Sequence, residues 1–386
     1  MKRKAFALLA STAVVGLLAA ATASARPADV PLTGAGSSLV NPLVQQYIPA
    51  VGQAFGYSLS YASVGSGTGI ANITARTYDF GASDAPLNPT QAAACNGCVE
   101  IPWALSATTV SYNIPGVPDQ INLSGPVIAQ IFLGQITNWN DPAIAKLNPR
   151  ISFPNQAITP VHRSDGSGDT YAFTDFLQRV SKTFQTTVGN NTTVNWPAGI
   201  GTSASGNSGI SGVIASTPGA VGYISAAYAL VNHLKVARIL NLAGGFATPG
   251  LRGIAAAAAA FPKPVSTANG VEMHIVNPPK SAGKYAYPIS TYTYIIVPMS
   301  TPHATELRKL IFWALTVGIK TYGPRLIFVP VFPKKVLVAA ERALKLIQCP
   351  SGGQDRLVQS HRTLALLPGE HIQPIHLHLL REEPAK

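Results

Sequence analysis

Toward the N-terminus, short apolar runs alternate with loops of small and polar residues. A strand is expected over residues 30–33, followed by Gly34-Ala35-Gly36-Ser37-Ser38. A helix comes next, with Ser38 near its N-cap and Leu39, Val40, Leu43, Val44 and Ile48 behind it. Residues 57–64 alternate as a half-buried strand does, then run into Gly65-Ser66-Gly67-Thr68-Gly69 and a second helix over 70–74. Residues 80–83 read as a third strand that ends at Asp84-Ala85-Pro86. Strand, small-residue loop, helix, repeated, is the α/β pattern, with loops gathered at the carboxyl ends of parallel strands.

The middle continues in kind. Helices are expected over 126–133, 142–147 and 170–180, the last with Phe173, Phe176 and Leu177 inward, and a strand over 158–161. Between them His162 to Asp169 form a tight polar loop. Later come a strand over 294–297 and helices over 305–317 and 333–346, with no internal repeat. From Gln348 the pattern breaks at Cys349-Pro350-Ser351-Gly352-Gly353, and residues 348–386 read as a tail outside the fold.

Composition narrows the class. The chain has 386 residues, 47% hydrophobic and 11% charged, enough for two ordinary domains with real cores. The formal charge is +12, but Lys and Arg are scattered rather than interleaved with aromatics, so no nucleic-acid partner is expected. The charge either attracts anions or reflects the host's general composition. Lys2, Arg3 and Lys4, an apolar run over 5–23 and the small-x-small Ala23-Ser24-Ala25 form an export signal over residues 1–25. Export to the periplasm favours a disulfide between Cys95 and Cys98 over a redox role for this C-x-x-C, and leaves Cys349 over.

Three loops join small residues and hydroxyls at expected helix starts: Ser37-Ser38-Leu39, Gly65-Ser66-Gly67 and Gly166-Ser167-Gly168. Helix-start amides with hydroxyl donors suit an anion, although each loop alone could be an ordinary turn. Arg163 precedes the third loop and could fork onto two ligand oxygens while Asp165 holds it. Asp84 is either an Asx turn or a partner for a protonated anion. Hydrogen phosphate carries a proton that a buried carboxylate can accept, whereas sulfate would face that carboxylate lone pair to lone pair.

From Leu32 to Ile347 the sequence resembles the periplasmic phosphate-binding proteins of high-affinity phosphate ABC transporters. The resemblance is carried by Leu32-Thr33-Gly34-Ala35-Gly36, Asp79-Phe80-Gly81-Ala82-Ser83-Asp84-Ala85-Pro86 and Gly134-Gln135-Ile136-Thr137-Asn138-Trp139. It continues in Arg163-Ser164-Asp165-Gly166-Ser167-Gly168 and Pro218-Gly219-Ala220-Val221-Gly222-Tyr223. It implies an α/β, two-domain periplasmic-binding-protein (Venus-flytrap) fold with a hinge of two crossover segments. One domain would take residues 26–114 plus 265–347, the other 115–264. Phosphate would lie between them, held by Ser38, the backbone of Leu39, Ser66, Asp84, Arg163 (supported by Asp165), Ser167 and the Gly168 amide. The implied partners are inorganic phosphate and the permease and ATPase subunits of the importer, with the receptor a monomer and no cofactor or metal.

Departures are mild at Ser38 and Leu39, where the family usually has threonine and an aromatic. Asp169 is the sharper one, since it replaces a threonine. It is expected to contribute its amide and turn its side chain outward, with Thr170 supplying a hydroxyl. Two other classes compete: a secreted phosphatase, and a surface interaction protein that kept the fold. The first finds little support, because Asp165-Gly166-Ser167-Gly168-Asp169 is not G-x-S-x-G and no H-E-x-x-H occurs. His371, His376 and His378 of the tail could bind metal, but a solvated or frame-altered end is the reading adopted.

Overall fold

The computed structural model describes residues 30–350. The expected export signal over residues 1–25 and the tail beyond residue 350, with its histidines, lie outside the described residues. Strand β1 (Val30–Gly36) leads into helix α1 (Asn41–Phe55), whose buried Leu43, Val44, Tyr47 and Val51 recur at helical spacing. Pro42 suits the first turn, where a missing N–H costs nothing, and left-handed Gly56 (φ 70°) ends the helix by donating to the Gly52 carbonyl. The residue flanking α1 is Val40, so Ser38 is not the expected N-cap; its hydroxyl is engaged elsewhere.

Strand β2 (Tyr57–Ser63) pairs in parallel with β1 along its whole length. Helix α2 (Ser66–Thr74) starts earlier than the expected residue 70, so Ser66 and Gly67 form its first turn. It lies close on the sheet because a Cβ on Gly69 would come within 2.4 Å of the Gly36 Cα. Gly36 itself has φ 141°, and a Cβ there would meet the Ala82 carbonyl oxygen at 2.1 Å. Strand β3 (Phe80–Ser83) pairs in parallel with β1 on the other side, which delivers Asp84 beside Ser66 and Ser37.

Strand β4 (Cys98–Tyr112) is buried at all 15 positions. Covered on both faces, it has no two-residue alternation to betray it in the sequence. The remaining elements near the site are β5 (Thr159–Arg163), α3 (Gly168–Val180), β6 (Thr202–Ala204), α4 (Gly206–Ser216), β7 (Ala220–Ser225) and β8 (Ser290–Pro298). The strands run in the order β2-β1-β3-β8-β4-β7-β5-β6.

β4 belongs to both halves of that path. Cys98 to Ala107 pair antiparallel with β8, and Thr108 to Tyr112 pair antiparallel with β7. The partner changes between Ala107 and Thr108, upstream of Ile114, where the Thr108 N–H donates to the Ile289 carbonyl next to β8 (3.0 Å). Two sub-sheets therefore share one strand. In the first, β1 and β3 end at the loops bearing Ser37, Ser38 and Asp84; in the second, β5 ends at Arg163.

The other expected helices are present as Gly125–Phe132, Pro142–Leu147, Ala304–Trp313 (continued by a π turn) and Lys334–Ala343. Gln348 still belongs to the fold: its N–H donates to Met299 (2.7 Å) and its carbonyl accepts from Thr301 (3.0 Å). Among the described residues no helix is long and apolar enough to cross a membrane.

Candidate functional site

One wall of the site comes from β1, α2 and β3. The Ser37 hydroxyl donates to the Asp84 carboxyl, 2.7 and 2.6 Å from its two oxygens, and accepts the Val40 N–H at 3.3 Å. The Tyr61 hydroxyl holds the Ser37 carbonyl at 2.8 Å, which fixes the loop after β1. Ser66, at the start of α2, accepts the backbone N–H groups of Asp84 and of Gly168 (both 3.2 Å) and donates weakly to Asp84 Oδ2 (3.4 Å). Leu39 has its side chain wholly in the core, so only its backbone can face a ligand.

The other wall comes from the β5–α3 loop and the start of α4. Asp165 grips the Arg163 guanidinium with both oxygens, Nε donating to Oδ1 at 2.7 Å and Nη2 to Oδ2. The Gly206 N–H also donates to Asp165 Oδ1 (3.0 Å). The buried Arg163 backbone N–H donates to the Tyr223 hydroxyl (2.9 Å), so both ends of the residue are anchored. Ser167 caps α3 by accepting the Thr170 N–H (3.2 Å); of the other first-turn amides Gly168 donates to Ser66, which leaves Asp169 where positive potential gathers.

The walls touch. The Gly67 N–H donates to the Gly166 carbonyl (2.9 Å), and a Cβ on Gly168 would stand 2.4 Å from the Asp84 Cβ. Gly168 is thus glycine for lack of room against Asp84, not for a turn.

Asp169 corrects the expectation that its side chain turns outward. The side chain is 1% exposed and points inward, where Oδ1 accepts from the Thr108 hydroxyl (2.7 Å). Its Oδ2 accepts from Asn207 Nδ2 (2.7 Å) and faces Arg163 Nη1 at 3.4 Å. A buried carboxylate is tolerated when it is paired in this way. The expected hydroxyl of Thr170 is spent on the Tyr223 hydroxyl (2.8 Å), away from the ligand side. Sequence reasoning missed Thr108 and Asn207. Thr108 lies inside the featureless buried run of β4. Asn207 did leave a signal, since Ser205-Gly206-Asn207-Ser208-Gly209 is another small, polar loop at a helix start.

The electrostatics are set by one guanidinium among three carboxyls. Burial, with the nearby Asp169 charge, pushes Asp84 up to about 7, against the pull of Ser37, Thr293 and Arg163. Burial also raises Asp169, opposed by Arg163 and by the Thr108 and Asn207 hydrogen bonds. For Asp165 burial works upward too, but the Arg163 hydrogen bond and charge outweigh it and hold the carboxyl below its ordinary value. Near neutral pH Asp84 therefore retains a share of the proton that a free carboxyl would have lost.

Cys95 and Cys98 form a disulfide beside the Arg76 guanidinium, just before and at the start of β4, while Cys349 is half-buried. Among the described residues no three metal-binding side chains cluster. A surface groove of about 740 Å³ between Val271 and the helix Lys334–Ala343 contains none of the residues above.

Two sub-sheets sharing a strand, with loops from both meeting around an arginine, define a periplasmic-binding-protein architecture. The family model of the PBP superfamily domain matches residues 20–316. Phosphate-binding protein PstS of Xylella fastidiosa (strain Temecula1) is 36% identical over 312 residues, covering 80% of this chain and 83% of that protein. The PstS of Pasteurella multocida (strain Pm70) is 36% identical over 313 residues, covering 79% and 87%. A solved phosphate-binding protein from Stenotrophomonas maltophilia shares the fold with a TM-score of 0.61 at 21% identity, covering 82% of this chain and 93% of its own. The chain belongs to the PstS family of phosphate-binding proteins, as its sequence motifs implied.

Proposed function

We propose that this chain is the exported receptor of a phosphate ABC importer. It encloses inorganic phosphate between the two walls, acts as a monomer, and presents its closed form to the permease and ATPase subunits. The observation that carries this reading is the meeting, between two sub-sheets, of two helix starts, one buried guanidinium and a carboxyl poised near neutrality. Helix-start amides and hydroxyls suit the oxygens of a tetrahedral anion, and the guanidinium supplies charge without needing a metal. Ser38 and the Leu39 and Ser66 amides would serve from the first wall; Arg163, Ser167 and the Asp169 amide from the second, with the Gly168 N–H exchanging Ser66 for a ligand oxygen. Asp84, ionised when the ligand is bound, would accept the proton of hydrogen phosphate, and sulfate has no proton to offer. Closure would pivot where β4 changes partner.

Among the described residues no side chain accepts a hydrogen bond from the Ser167 hydroxyl, which itself accepts the Thr170 N–H, so phosphatase chemistry lacks an engaged base there. The nearest histidine in sequence, His162, stacks on Trp196 (5.2 Å between ring centres) with Nδ1 facing the Arg163 carbonyl at 3.3 Å. Burial lowers its pKa, so it is a poor proton carrier for that serine as well. We therefore assign no catalytic role. The test is calorimetric titration of phosphate, then sulfate, into mature protein freed of bound anion. Tight one-to-one phosphate heat with none for sulfate is expected; absence of phosphate heat would overturn the reading and favour a repurposed surface protein.

A further inference from the structure

Ser37 and Ser38 are neighbours in sequence with opposite hydrogen-bonding duties. Ser37 spends its proton on the Asp84 carboxyl. The Ser38 oxygen instead accepts two hydrogen bonds from Asn207 on the opposite wall, from its backbone N–H at 3.2 Å and from Nδ2 at 2.9 Å. A serine hydroxyl has two lone pairs and one proton, so its remaining capacity is to donate.

Asn207 is itself fixed. It is fully buried, and its Oδ1 accepts the Ser225 N–H at 2.8 Å, which decides which end of the amide is oxygen. Its two Nδ2 protons go to Ser38 (2.9 Å) and to Asp169 Oδ2 (2.7 Å). Every polar group of the side chain is therefore assigned.

We propose that Asn207 is a positioning residue for the anion: by filling both lone pairs of Ser38 it turns that hydroxyl into a pure donor aimed at the ligand. The two residues stand on different walls, so the donor is set only when the walls meet. A free serine could present lone pairs or proton and would lose part of its value in reorienting; a locked one loses none. Asn207 thus ties ligand recognition to closure without necessarily touching phosphate, and the proposal rests on the reading of this cleft as the phosphate site.

The test is a double-mutant cycle on phosphate affinity, read by calorimetry in wild type, Ser38→Ala, Asn207→Ala and the double variant. Each single change should weaken binding by about ten- to a hundredfold, the value of a hydrogen bond to a charged group. The double variant should bind at least about tenfold better than multiplied losses would give, because the part of Asn207 that acts through Ser38 is already gone and only its bond to Asp169 Oδ2 (2.7 Å) remains to lose. Losses that simply multiply would overturn the proposal, since a residue that only supports the fold does not act through Ser38. Should Asn207→Ala fail to fold, Asn207→Asp keeps the shape and replaces the donor by an acceptor; its loss should shrink when Ser38 is already alanine. An equal loss in both backgrounds is a plain charge effect and overturns the proposal. A wild-type chain with no phosphate heat would instead remove the receptor reading itself, which is a separate outcome.

Discussion

The two walls of the cleft are built from different chemistry. The first offers the Ser37 and Ser66 hydroxyls on one carboxyl, Asp84, with the Ser38 hydroxyl next in the chain to Ser37. The second carries Arg163, Asp165 and Asp169, locked to one another and to Asn207. Hydroxyls are weak dipoles that respond to which atoms of a ligand bear protons. A guanidinium clamped by carboxylates is a fixed charge that responds to the ligand's total charge. On the proposed function the walls would have separate duties: the first would decide which anion is accepted, and the second would make an anion acceptable at all.

Removing the charge of the second wall should have the largest effect. Arg163→Ala leaves Asp165 and Asp169 without their cation, and stranding such partners costs about 3–5 kcal/mol. Phosphate heat should vanish from calorimetry, and the melting temperature should fall with it. Arg163→Lys should recover only part of the binding, because an ammonium cannot reproduce the fork that Asp165 holds. Full binding by either variant would break the division of labour.

Asp84→Asn probes the first wall and should act on selectivity more than on affinity. The amide keeps the shape but can donate to a fully deprotonated oxygen, so the rejection of sulfate should weaken by about ten- to a hundredfold. Competition of sulfate against bound phosphate measures this directly. An unchanged phosphate-to-sulfate ratio would mean that the first wall does not choose the anion.

The walls also differ in how far they could be read from sequence. Ser38, Ser66 and Asp84 follow successive parallel strands, so α/β periodicity alone brings their loops to one edge. The resemblance to known phosphate receptors then assigned their roles. Arg163 and Asp165 were legible because they are two residues apart. Asp169 was placed on the wrong side because its partners, Thr108 and Asn207, are 61 and 38 residues distant. A lone carboxylate reads as solvent-seeking; only the fold supplies the donors that let it stay inside. β4 escaped notice for a related reason, since full burial erases the pattern by which strands are recognised.

Asp169→Thr sharpens the comparison by taking one carboxylate from the charged wall and restoring the residue usual in the family. With less negative charge facing it, a dianion should bind about tenfold more tightly at pH 8, a modest share of the interaction between partly screened charges. At lower pH the gain should shrink, because burial raises the Asp169 carboxyl above its ordinary value and so favours its neutral form earlier on acidification. An equal loss of affinity at pH 8 and at the lower pH would show instead that Asp169 partners the ligand, and the walls would no longer divide as described.

The smallest expected effect is on the protein without any anion. Asp84 is pushed up to about 7 in the folded chain and lies near its ordinary acidic value once unfolded. The folded state thus holds this proton more tightly, and the stability it contributes is complete in acid and lost as pH rises through 7. Melting temperature of anion-free protein should therefore decline between pH 5 and pH 8. Glu100, buried beneath the Asp84 loop with its carboxyl accepting the Leu87 N–H (2.8 Å), is pushed up to about 8 by burial and contributes in the same direction. Asp84→Asn should flatten the decline without abolishing it, and Asp84→Asn with Glu100→Gln should flatten it further. Asp165 works in the opposite sense at the acid end, its contribution being lost only as pH falls below the ordinary carboxylate range. A decline as steep in Asp84→Asn as in wild type would show that the first wall holds an ionised carboxylate even when empty of ligand, already in the form that accepts a phosphate proton and rejects sulfate.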